Sequence, residues 1–84
     1  MSESKRIINA VSLLTEPFLH EFGMELVDVE FQFERGRWLL RVFIDKQGGI
    51  TIDDCASISR ELGDLIEAEN IISFSYVLRF LLQV

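Results

Sequence analysis

LVDVEFQFERGRWLLRVFID, residues 26–45, runs through the same alternation of apolar and polar side chains twice, with a short polar break between. Val27, Val29, Phe31 and Phe33 fall on one side of an extended chain and Asp28, Glu30 and Gln32 on the other, the period of a half-buried strand. After Glu34-Arg35-Gly36-Arg37, a second strand from Trp38 to Asp45 places Trp38, Leu40, Val42 and Ile44 on one face. With Arg35-Gly36 as the loop, the two strands form a hairpin. Phe33 then faces Trp38, Phe31 faces Leu40, Val29 faces Val42 and Val27 faces Ile44, because a one-residue slip would turn the whole apolar set outward. The same register sets Glu30 beside Arg41 on the opposite face, a favourable cross-strand charge pair. Leu39 and Phe43 share that outer face with Asp28, Glu30, Gln32 and Arg41, and read as isolated exposed apolar residues.

Upstream, Ile7, Val11, Leu14, Phe18 and Phe22, widened by Ile8 and Leu19, repeat at helical spacing and predict a helix over residues 5–22. Pro17 lies inside it, lacks a backbone donor and clashes with the carbonyl of Leu13, so a kink or break is expected there. Gly23 suits a left-handed cap. Downstream, Lys46-Gln47-Gly48-Gly49 reads as a loop. Thr51-Ile52-Asp53-Asp54 matches a helix start, with Ile50 placed to staple against Cys55. Cys55, Ile58, Leu62 and Leu65 give this second helix its buried stripe. Phe74, Tyr76 and Leu78 then alternate in a third strand over residues 73–78.

The order αββαβ implies an α+β fold: a two-layer sandwich with two helices on one face of a three-stranded sheet. The strand–helix–strand crossover makes strand three run in the direction of strand two, and leaves open whether it lies beside strand two or strand one.

A chain of 84 residues with 49% hydrophobic content is enough for one folded domain. Its net charge of −6 and pI near 4.6 are opposite to the basic footprint of a domain that neutralises phosphates. Such a domain is steered instead toward basic partners, of which ribosomal proteins are one class. A single cysteine excludes an internal disulfide framework. The start of the chain lacks the apolar stretch of a signal peptide, and no segment is long and apolar enough for a membrane span, so a cytoplasmic setting is expected.

Candidate chemistry is sparse. Cys55 in the first turn of a helix has the position of an activated thiol, but its spacing to Ile58 and Leu62 places it on the core stripe. His20 has no second His or neighbouring Cys in the sequence to complete a metal site. Asp45, Asp53 and Asp54 bracket the Gly48-Gly49 loop without the spacing of a calcium loop, and helix capping accounts for Asp53 and Asp54. Arg35, Arg37 and Arg41 are the only basic clustering and read as a solvated hairpin tip. A KH-like RNA-binding module has a similar element order, but it clamps RNA through a GxxG loop that this sequence lacks. The expectation is a binding domain with no catalytic centre, no cofactor, no metal and no small-molecule substrate.

FGMELVDVEF (residues 22–31), LRVFIDKQGGITIDDCASISREL (residues 40–62) and SYVL (residues 75–78) together resemble the amino-terminal domain of the bacterial ribosome maturation factor RimP. The resemblance spans nearly all of residues 5–78. It implies a non-enzymatic factor that binds the free small (30S) ribosomal subunit during its assembly, with ribosomal protein S12 as a contact and contact with ribosomal RNA left open. In that family an αββαβ domain precedes an SH3-like barrel. On this basis Glu30, Asp45, Asp53 and Asp54 are the candidate partner-binding residues.

Residues 79–84, RFLLQV, depart from the family, which continues with a Glu-Val-Ser-Ser-Pro-Gly segment. Codons GAG GTT TCT TCT CCA GGT encode that segment; without the first base they read AGG TTT CTT CTC CAG GT, which gives Arg-Phe-Leu-Leu-Gln and opens a Val codon. The expectation is therefore a domain over residues 1–78, a frame-shifted or truncated tail over residues 79–84, and no SH3-like barrel. The apolar run Phe80-Leu81-Leu82 is expected to extend strand three as an exposed, association-prone edge.

Overall fold

The structure, a computed structural model, describes residues 3–82. Its elements follow the expected order: α1 (Glu3–His20), β1 (Glu25–Glu34), β2 (Arg37–Asp45), α2 (Ile52–Ala68) and β3 (Tyr76–Leu82). β1 and β2 pair antiparallel, β2 and β3 parallel, and the sheet runs β1-β2-β3. The open question of strand order is thus settled: β3 lies beside β2 and forms an edge. Both helices pack on one face, where Ile7, Val11 and Leu19 of α1 and Ile58, Leu62 and Ile66 of α2 meet Val29, Phe31, Leu40, Val42 and Ile44 of the sheet.

α1 ends where Gly23 predicted, by a mechanism its hydrogen bonds spell out. The Met24 amide donates to the Leu19 carbonyl at 3.0 Å and the Gly23 amide to the His20 carbonyl at 3.1 Å, with Gly23 at φ +72°. This is a Schellman turn, and its apolar pair, Leu19 and Met24, is buried in the core. Pro17 does not break the helix, which runs through it without interruption. Pro17 and Leu13 are both exposed, so the carbonyl left without a helical donor is on the solvent side of the helix, where its loss costs least. The buried stripe is also centred differently: Thr15 is fully buried in line with Ile7, Val11 and Leu19, while Phe22 stands at the exposed margin.

The hairpin register holds from the turn to the middle of the strands. Phe33 pairs with Trp38, Phe31 with Leu40, Glu30 with Arg41 and Val29 with Val42. Arg35 and Gly36 sit at φ +52° and +82°, the two left-handed residues of a type I′ turn, whose twist matches that of the strands. Beyond Asp28, which still pairs with Phe43, the register shifts. A bulge places Leu26, not Val27, opposite Ile44, and Val27 turns outward to 47% exposure. At the shift the Asp28 carboxylate accepts the Val29 amide at 2.9 Å.

Thr51 caps α2 as its sequence suggested: its hydroxyl accepts the Asp54 amide at 3.0 Å, and its carbonyl accepts the Cys55 amide. Cys55 itself is only half-buried, and Ile66 completes the buried stripe in place of Cys55 and Leu65. Residues 73–75 stay outside β3, because Phe74 packs from the loop on Trp38 and Phe31, with ring centroids 5.6 and 6.1 Å away. Residues 79–82, expected as tail, form the second half of the strand, an edge as anticipated.

Candidate partner-binding surfaces

One end of the sheet collects carboxylates. The Schellman turn delivers Glu25 to the start of β1, β2 ends on Asp45, and Asp53 and Asp54 occupy the first turn of α2, where the helix dipole favours negative charge. In an unbroken register Glu25 would face Lys46. The bulge moves it opposite Asp45, so two like charges stand directly across the ladder. Asp45 lines a cleft of about 290 Å³ with His20, Gly23, Met24, Glu25 and Gln47. Asp54 lines another of similar size with Phe22, Met24, Lys46 and Glu61, and Met24 contributes to both.

Three of the four candidate residues therefore share this end of the domain, and Glu30 does not. It lies on the outer sheet face, 3.6 Å from Arg41. The expected Glu30–Arg41 pair is present but secondary. Arg41 donates to both oxygens of Glu34, at 2.9 and 2.7 Å, a two-pronged pair that its planar guanidinium favours. These hydrogen bonds hold the Glu34 carboxyl below its ordinary range and the Arg41 guanidinium above its own. To reach Glu34, Arg41 runs past the Gln32–Leu39 pair, and Leu39 is only 7% exposed although it faces outward. Leu39 and Phe43 are not isolated either. β3 sets Val77 beside Leu39 and Leu81 beside Phe43, two apolar cross-strand pairs on the outer face with the Arg41–Arg79 pair between them.

Glu25 and Glu61 escaped sequence reasoning. Glu61 reads as an ordinary solvated helix position, and Glu25 joins Asp45 only through a bulge that no turn residue announces. His20 is exposed at the end of α1. Among the described residues no three His, Cys, Asp or Glu side chains converge as a metal site.

The opposite end, at the hairpin turn, is aromatic and basic. Trp38 stacks on Phe31 at 4.7 Å and meets Phe33 edge-on at 5.3 Å. Phe33 is 58% exposed, next to exposed Arg35 and Arg37. Arg41 is withdrawn from this group by Glu34. On the third side, α2 and β3 leave an open groove of about 680 Å³, lined by Gly63, Glu67, Asn70, Tyr76 and Leu78 together with residues 72–75.

Among the described residues no helix is long and apolar enough to cross a membrane. The sequence matches the family model described as the RimP N-terminal domain over residues 14–80, most of the chain, and that match takes in all of β1, β2 and α2 and the first part of β3. Taken with an αββαβ fold whose strands and second helix coincide with the matched residues, this places the chain in the RimP N-terminal domain family, a family of ribosome maturation factors.

Proposed function

We propose that this domain acts in the cytoplasm, without catalysis, by binding the free small ribosomal subunit during its assembly, with ribosomal protein S12 as its direct partner. The family supports the general role, and the carboxylate-rich end supports a basic protein partner. The observation that carries most weight is the Glu25–Asp45 pair. It sets two exposed carboxylates directly across the ladder, at the end of the sheet where β2 leads toward Asp53 and Asp54 of α2, and so concentrates negative charge there. A basic segment docked there meets this concentrated negative charge with its own opposite sign. Asp45, Asp53 and Asp54 are assigned to this contact. Glu30 is assigned a lesser part, because it shares Arg41 with Glu34.

Capture of small subunits and of isolated S12 by the domain tests the proposal. Binding is expected to weaken with salt, and the triple variant D45N/D53N/D54N is expected to bind about tenfold or more weakly. Unchanged capture by a folded triple variant would remove these residues from the interface, and no capture by the parent would sink the proposal.

A second reading, a KH-like RNA-binding module, draws support from exposed Phe33 beside Arg35 and Arg37, since an aromatic face next to cations suits an unpaired base. It predicts affinity for single-stranded RNA that falls steeply with salt and is lost in F33A. With Arg41 paired to Glu34 and a net charge of −6, only a shallow salt slope is expected.

A further inference from the structure

The sheet ends at β3, so the outer side of this strand offers unpaired backbone donors and acceptors to any extended chain. Little protects it beyond a single charge. YVLRFLL contains no proline, glycine or lysine, no register shift interrupts its pairing with β2, and its one charge, Arg79, stands beside Arg41 on the outer face. The groove between β3 and α2 supplies what a bare edge lacks, a receptor for side chains. Gly63 of α2 faces Leu78 of β3: a Cβ built there would stand 3.6 Å from Leu78 Cδ2, an ordinary contact. Toward the end of α2 the groove opens, and Glu67 is the only charged residue lining it among the described residues. Tyr76 lines it too, and its hydroxyl is held above its ordinary range, first by burial and then by the field of Glu67, which puts the two side chains within electrostatic reach.

A second copy of this chain is a poor occupant, since it would bring another −6 of charge. A cationic chain has the opposite sign. We propose that the β3 edge and its groove receive an extended segment of a basic protein, which adds as a fourth strand and seats a lysine or arginine between Glu67 and the Tyr76 ring. This rests on the protein-binding reading above and names a surface separate from the Asp45 end.

The test uses a short synthetic peptide alternating lysine with valine, its glutamate counterpart, and small subunits. The lysine peptide is expected to slow amide exchange in β3 and not in β1, and the glutamate peptide is expected not to bind. E67K is expected to lower the affinity of the lysine peptide about tenfold at low salt, with thermal unfolding unchanged because Glu67 is exposed. Unslowed β3 amides, equal affinity of E67K, or β3 protection that rises with protein concentration alone would each overturn the proposal, the last by showing self-pairing. Capture of subunits by a domain whose β3 ignores the lysine peptide would discard the edge and keep the protein-binding reading. Peptide docking at β3 without capture of subunits would do the reverse.

Discussion

Thr15 is the residue most at odds with its surroundings. Its hydroxyl is fully buried on the core side of α1 and makes no hydrogen bond to any of the described residues. A buried hydroxyl without a partner costs about 1–3 kcal/mol, and valine has nearly the same shape and similar helix propensity. T15V is therefore expected to stabilise the domain by about 1 kcal/mol, read as a rise in Tm of roughly 4–8 °C for a domain of this size. Glu34 is the opposite case, a residue well served by its neighbour. Its hydrogen bonds to Arg41, aided by the charges of Arg41 and Arg35, lower its folded pKa against a smaller opposing effect of desolvation. A carboxyl whose pKa is lower folded than unfolded contributes stability above the unfolded value, and that contribution is lost as pH falls through the folded value. Urea unfolding of E34Q should thus show a deficit against the parent at about pH 7 that shrinks as pH falls below the ordinary glutamate range. Neither residue stood out in the sequence. Thr15 broke an apolar stripe that Leu14 and Phe18 seemed to complete, and Glu34 looked like part of the turn.

Among the elements, the hairpin was the most legible and also shows where such reading stops. Alternation specifies which side chains face inward, and a two-residue loop specifies the register near the turn, so every pair from Phe33–Trp38 to Val29–Val42 followed. The bulge beyond Asp28 left no mark, because Leu26 and Val27 are equally apolar and either could have faced the core. β3 was misplaced for a related reason: Phe74 continues an alternation that in fact belongs to a loop aromatic packed on Trp38. The candidate site shared this fate. Asp45, Asp53 and Asp54 could be found from their motif, but their company with Glu25 depends on the bulge. Two substitutions probe the elements. R35N exchanges a side chain strained at φ +52° for one that tolerates it and creates the favoured Asn-Gly turn, with an expected gain of about 0.5–1 kcal/mol in chemical unfolding. G63A adds a methyl group at ordinary contact distance from Leu78 and removes a helix-interior glycine, for an expected gain of about 0.5–1 kcal/mol. A loss in G63A would show that the Leu78 side chain cannot accommodate the added methyl group.

For the whole molecule, the parallel pairing of β3 with β2 orders the events of folding. Arg37 and Glu34 meet across a two-residue turn, whereas Trp38 finds Tyr76 only after all of α2 has been traversed. Closing the short loop costs little chain entropy and closing the long crossover costs more, so the hairpin with α1 against it is expected to form the nucleus and β3 to join late. Truncations in the two regions separate these steps. V29A is expected to slow folding, and L78A mainly to speed unfolding, in stopped-flow measurements across urea concentrations. Equal slowing of folding by both would place β3 in the nucleus. The late arrival of β3 means that, for part of every folding event, its apolar stretch has no neighbour at all, and a domain made continuously on ribosomes passes through that interval each time it is synthesised.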